Sequence, residues 1–197
     1  MVSSYNSSTR QKILSAAQFL FAKKGFHKSP TSEIASTAGV AEGSIFKHFS
    51  TKENLLFALV EEINTQGIAE LFQNAASQET RTALRNFLKA HLDLINRNFD
   101  LFKIILYEAQ FIPSLREKFI EEVALNIFVP LEDFIKEKRT SGEFKSFTPQ
   151  ITARALVGMV VAFIAWEDVL KANDYQSFNR LEVIEEVLEI FLSGVKN

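Results

Sequence analysis

Three histidines, His27, His48 and His91, are the natural candidates for proton transfer or metal ligation, yet they fall in different predicted elements. The one metal-like spacing is the weak His91-x-Asp93, and there is no HExxH, glycine-rich phosphate loop or nucleophile elbow. Adjacent acids such as Glu61-Glu62, Glu121-Glu122 and Glu185-Glu186 diverge around a helix and read as solvated faces. Cysteine is absent, which excludes disulfides, thiolate chemistry and a cysteine-based zinc site. Catalysis has no constellation to rest on, and no cofactor or metal is expected. What remains is hydrogen-bond donation. Over Glu42–His48, helical spacing puts Ile45 and Phe49 on one side and Ser44, Lys47 and His48 on the other. One face can be buried while the other enters a groove.

The elements that must position those side chains begin with a preceding segment in which Ile34, Ala35 and Ala38 share a helical face. Ser29 offers an N-cap hydroxyl, Pro30 suits the first helical position, and Gly39 stops the segment. Two short helices separated by a break form a helix-turn-helix pattern across Thr31–Phe49. Upstream, residues 1–8 read as a disordered arm, and Ser8 or Thr9 caps a helix to about Lys24 with the stripe Ile13, Ala16, Ala17, Leu20 and Phe21. Gly25 ends it, and Phe26 packs back. Such a three-helix unit is too small to stand alone. Its expected neighbour is one long helix from Thr51 to Ala76, opened by a Ser50/Glu53 capping box, with Gly67 as a soft point.

The wording of this region resembles the TetR (tetracycline repressor) family of transcriptional regulators. The matching residues are Ile13-x-x-Ala16-Ala17-x-x-Leu20-Phe21, Gly25-Phe26, Ile34-Ala35-x-x-Ala38-Gly39-Val40, Gly43-Ser44-Ile45-Phe46-x-His48-Phe49 and Lys52-Glu53-x-Leu55. They cover roughly the first quarter of the chain. The resemblance places Gly43, Ser44, Phe46, Lys47 and His48 on or near the groove-facing side of a recognition helix, with Gly43 letting backbone approach phosphate. In that setting Lys47 can donate to guanine, Ser44 can serve base or phosphate, and His48 and Lys52 hold phosphate. Thr31 adds a hydroxyl-to-phosphate bond near a positive helix end. Glu42 either accepts from cytosine or stabilises the start of its own helix. Glu42 and Pro30 stand where basic residues and threonine, respectively, are common in relatives.

Charge supports a local rather than a global nucleic-acid contact. The chain's net charge is −2, but residues 1–55 hold seven Lys/Arg against three acids, a net of +4, which leaves −6 for the remainder. The 197 residues are 47% hydrophobic with only seven glycines and four prolines, a composition that suits an all-α chain with a packed core. No basic stretch leads into an apolar run at the start, and the longest uncharged run, Ala155–Trp166, is short of the ~20 residues of a helical span. A soluble cytoplasmic protein without membrane contact is the expectation.

Further helices are expected over Thr80–Asn98, Leu101–Ala109, Pro113–Arg139 with a kink at Pro130, Pro149–Lys171 and Arg180–Val195. Small residues Ala155, Gly158, Ala162 and Ala165 run beside a stripe of large ones, and Leu181, Ile184, Leu188 and Phe191 offer a matching face on the last helix. Two adjacent apolar stripes call for a second chain, hence a homodimer. Nineteen phenylalanines suggest either a dense core or an aromatic-lined cavity. Phe72, Phe87, Phe102, Leu106, Phe119, Phe163 and Trp166 could converge, with His91 and Tyr107 as polar groups at the edge. If they enclose a cavity, it takes an apolar effector. The expected organisation is a helix-turn-helix DNA-binding domain over residues 1–50 and a helical ligand-binding and dimerisation domain over 51–197. The function expected is that of a ligand-responsive regulator of a double-stranded DNA operator, most simply a repressor. A protein-binding helical module and a small all-helical enzyme are the rival classes.

Overall fold

A computed structural model describes residues 2–63, 65–73 and 79–197. Among these, all regular structure is helical except an isolated antiparallel bridge between Phe144 and Lys196. The helices are α1 (Val2–Lys24), α2 (Thr31–Ala38), α3 (Glu42–His48), α4 (Glu53–Glu61), α5 (Gln66–Gln73), α6 (Thr80–Arg97), α7 (Phe99–Glu108), α8 (Pro113–Phe119), α9 (Leu125–Thr140), α10 (Pro149–Ile164) and α11 (Arg180–Val195). Two compact units partition them, the first joining the chain up to residue 64 with Ile95–Ala124, the second joining Thr65–Leu94 with Leu125–Asn197. The division therefore does not follow chain order as the 50/51 boundary does, because α7 and α8 pack beside α1 and α4.

Several expected boundaries shift for local reasons. Helix α1 already begins at Val2 where an arm was expected, since extending a formed helix adds one hydrogen bond per residue fixed. Ser29 does not cap α2: its buried hydroxyl donates to the Gly25 carbonyl at 2.8 Å, and Pro30 occupies the cap position with extended backbone. Ser50 likewise yields to Thr51, whose Oγ1 accepts from the Asn54 amide at 3.2 Å. The single helix expected over Thr51–Ala76 is two, interrupted after Glu61 and not at Gly67, which lies inside α5. Residues 64 and 74–76 of that expectation lie outside the described residues. The Pro113–Arg139 helix is also divided, by a wide π turn over Ile120–Ala124, while α9 continues through Pro130. A second π turn, Ala165–Val169, follows α10.

Gly39 sets the turn of the helix pair. Its φ of 67° and ψ of 38° are left-handed, and the Gly39 and Val40 amides donate back to the Ser36 and Ala35 carbonyls at 3.2 and 3.0 Å. This double closure satisfies the last carbonyls of α2 and swings the chain into α3. A Cβ at Gly39 would meet nothing within 4 Å among the described residues, so the glycine is favoured by its left-handed conformation and not by space. Gly39→Ala should lower stability by about 1 kcal/mol, read as a reduced midpoint in chemical denaturation; an unchanged midpoint would show that the turn tolerates a Cβ.

Candidate nucleic-acid interface and effector region

Ile34, Ala35, Ile45 and Phe49 are buried, and they fix α3 against the preceding helices. With those positions inside, Gly43 and Lys47 are exposed, Ser44 and His48 are half-buried, and the Phe46 ring is 52% exposed. Five of the expected contact residues are thus presented together on one seven-residue helix. An aromatic ring this exposed beside a lysine is suited to stacking or apolar contact in a groove.

Three other expected contacts are engaged within the chain. The Thr31 hydroxyl donates to Glu42 Oε1 at 2.7 Å, a staple between the starts of α2 and α3 that uses both side chains. Lys52 does not reach outward as a phosphate ligand would. Its ammonium donates to the Phe26 carbonyl at 2.5 Å and stands 4.4 Å from the Phe26 ring centre and 5.9 Å from that of Phe21. Burial lowers the Lys52 pKa, while the fields of Glu53 and Glu108 pull it back up. Glu108, on α7, is 2% exposed, and its Oε2 lies 3.2 Å from His27 Nε2 without hydrogen-bond alignment. Sequence reasoning missed Glu108 because an acid at a helix end carries no mark of burial. Nearby, Lys24 pairs with Glu33, tying α1 to α2.

The nine residues expected to line a cavity separate into the two units. In the first, Phe102 and Phe119 meet edge to face at 6.0 Å. Leu106 and Tyr107 do not join them: the buried face of α7 is Leu101, Ile104, Ile105 and Glu108, which leaves Leu106 and Tyr107 on its outer face. In the second unit, Phe72 lies 5.3 Å from Phe87 and 5.1 Å from Phe134, and Phe87 stacks parallel to the His91 ring at 5.9 Å. Phe163 meets Phe178 at 5.0 Å, and the partly exposed Trp166 donates through Nε1 to the Gln176 carbonyl at 3.1 Å. His91 is 5% exposed, has no hydrogen-bond partner at either ring nitrogen among the described residues, and is pushed by burial from 6.5 down to about 4.

The residues expected at a subunit interface divide between exposed and buried positions. On α10, Ala155, Gly158 and Ala162 are exposed together with Ile151, and Ala165, at the start of the following π turn, is half-buried. On α11, Leu181 is exposed, but Ile184, Leu188 and Phe191 are buried within the unit as part of the inward stripe from Val183 to Val195. Ile184, Leu188 and Phe191 are covered within their own unit, and the outer apolar residues of this helix are Leu181 and Ile190. Met159, Ala162, Phe163, Val187 and Ile190 line an open groove that continues along Ile151 and Ala155.

A helix pair of this geometry in an all-helical chain is a helix-turn-helix arrangement of the kind that nucleic-acid-binding regulators use. Residues 13–59 match the family described as bacterial regulatory proteins, tetR family, and residues 82–194 match the C-terminal domain of AefR-like transcriptional repressors. The chain belongs to the TetR family. It is 29% identical over 188 residues to the fatty acid metabolism regulator protein of Bacillus subtilis strain 168, covering 94% of this chain and 95% of that one. The structure of the transcriptional regulator FadR from Bacillus subtilis in complex with stearoyl-CoA is 27% identical, covers 93% of this chain and 98% of that one, and superposes with a TM-score of 0.74. The TetR-family regulator PfmR from Thermus thermophilus, at 22% identity, shares the fold with a TM-score of 0.71 and coverage of 94% and 99%.

Lys47→Ala should weaken operator binding and relax base preference, with discrimination falling by about 1–3 kcal/mol at the contacted position. Lys52→Ala should act instead on thermal stability, because it frees the Phe26 carbonyl and leaves Glu108 less compensated. Retained melting temperature with a salt slope reduced by about 1 would return Lys52 to the phosphate. His91 generates a pH prediction. The unfolded imidazole gains a proton as pH falls through about 6.5 and the folded one resists to about 4. Stability is therefore full above 6.5 and declines progressively toward pH 4, by about 3 kcal/mol at ~1.4 kcal/mol per unit. His91→Phe should flatten that part of the denaturation-versus-pH curve.

Proposed function

We propose that this regulator is a homodimeric repressor, released from its operator by an effector with a long apolar chain. The observation that carries DNA binding is the presentation of Gly43, Ser44, Phe46, Lys47 and His48 on one face of α3 above buried Ile45 and Phe49. Thr31 and Glu42 serve by holding the two helices in register, and the Thr31 hydroxyl turns to phosphate only if it exchanges its acceptor. Donors on α3 read base edges, and the +4 charge of residues 1–55 supplies the salt-dependent part of affinity.

Two symmetric half-sites require two recognition helices about one DNA turn, ~34 Å, apart, which one chain with one such helix does not provide. The outer face of α10, with Ala155, Gly158, Ala162 and Ile151, and that of α11, with Leu181 and Ile190, form the surface that a second copy would cover. Pro149–Val169 is long and apolar enough to cross a membrane by length and composition. Its small-residue face, together with Arg154, Glu167 and Asp168 in the same segment, favours helix-to-helix packing, and the working compartment proposed is the cytoplasm.

The effector class follows from two supports. Aromatic side chains gather in the second unit at Phe72, Phe87, His91 and Phe134, where the Lys138 ammonium over Phe134 is paired with Glu143, and the stearoyl-CoA complex of the 27% identical regulator presents a long acyl chain. Such an effector acts only by preferring the DNA-incompetent state; equal affinity for both states would shift nothing.

Selection of bound sequences from random DNA should return a two-fold symmetric site, whereas recovery without sequence preference would defeat the regulator reading. Gly158 is exposed and a Cβ there meets nothing within 4 Å among the described residues, so Gly158→Leu is expected to fold, checked by an unchanged helical circular dichroism spectrum. It and Ile190→Glu should each shift sedimentation from dimer to monomer at micromolar concentration and weaken operator binding. A stable wild-type monomer would remove the dimer from the proposal.

A further inference from the structure

His91 is an anomaly in the second unit. Buried polar side chains in folded proteins nearly always have hydrogen-bond partners, and each exception calls for a physical reason. The imidazole offers one N–H donor and one acceptor nitrogen, and neither meets a partner among the described residues. Its ring stacks parallel on Phe87, itself part of a ring series running from α6 through Phe72 on α5 to Phe134 on α9. At the far end of that series the Lys138 ammonium stands 5.4 Å from the Phe134 ring centre and is already paired with Glu143 at 3.3 Å. Lys138 is thus compensated, and His91 is the polar group left over. Phe72 is only half-buried, whereas Phe87, His91 and Phe134 are buried, so the series comes nearest to solvent at its middle ring, between Phe87 and Phe134.

We propose that His91 is the polar anchor of the effector site, donating a ring N–H to the carbonyl oxygen at the head of an acyl chain that lies along Phe72, Phe87 and Phe134. This rests on the effector reading above and adds to it the atom that is recognised. A neutral donor in apolar surroundings selects a neutral acceptor: a thioester or ester carbonyl satisfies it, whereas a bare hydrocarbon leaves it unpaired and forfeits the gain. The second nitrogen is left to accept from water or from a hydroxyl or amide on the ligand.

The test compares palmitoyl-CoA with S-hexadecyl-CoA, the thioether that lacks the carbonyl oxygen, on the full-length protein. Wild type should bind the thioester about 10-fold more tightly, His91→Phe should lose that preference, and His91→Gln, which retains a donor, should restore part of it. Nitrogen resonances of His91 should move on addition of palmitoyl-CoA. Equal binding of thioester and thioether by wild type, or binding that leaves the His91 resonances unmoved, overturns the anchor. Operator release is followed separately. Release by palmitoyl-CoA without a His91 response discards the anchor and keeps the effector class. A His91 response and thioester preference without release keep the anchor and discard the repressor mechanism. No binding of either compound overturns both.

Discussion

A half-buried ammonium at Lys52 and a buried carboxyl group at Glu108 lie close enough to act on each other within the first unit. Desolvating a charge costs several kcal/mol unless partners restore what water supplied. Lys52 finds them in the Phe26 carbonyl and the faces of two rings, and the field of Glu108 contributes as well. Glu108 brings the end of α7 near His27 in the turn between α1 and α2. Three segments distant in sequence are linked here: the turn that precedes α2 receives the Lys52 ammonium from just before α4 at the Phe26 carbonyl and lies beside Glu108 at the end of α7 through His27. The helix-turn-helix pair inherits its position from that linkage, because α2 begins just beyond the turn.

The same logic of compensation separates working surfaces from structural ones. Arg85 binds both oxygens of Glu185 at 2.5 and 2.7 Å, and Arg81 reaches Glu189 at 2.7 Å, so acids of α11 that face outward are tied to α6. Asn179 caps α11 by accepting from the Leu181 and Glu182 amides. These contacts orient α11 so that its longer apolar stripe turns inward and only Leu181 and Ile190 remain outside. The small residues of α10 stay uncovered beside them. An apolar face composed of alanine and glycine lets another helix backbone approach closely, which large side chains would prevent.

His91 stands apart because nothing in the described chain compensates it. It remains uncharged at neutral pH through burial alone, and a neutral ring can stack on Phe87 where an imidazolium would demand a counter-charge. Lys52 and His91 thus represent two solutions to burial: one ion kept by its partners, one base kept neutral by their absence.

The sequence by itself determined the helical class, the break at Gly39, the burial of Ile45 and Phe49, and hence which α3 side chains face outward. All of these follow from short-range rules: a 3.6-residue period, a glycine able to adopt a left-handed turn, and the concentration of positive charge in residues 1–55. Tertiary structure alone decided that Lys52 turns inward, that Glu108 is buried, that Leu106 and Tyr107 lie outside, and that Ile184, Leu188 and Phe191 belong to the subunit's own core. Periodicity shows that a helix has an apolar face but not which neighbour covers it, and a helix with two such faces leaves the choice open. A lysine's reach adds a second ambiguity: its four-carbon stem lets the same residue serve a phosphate outside or a carbonyl within, and only the position of Phe26 settles which.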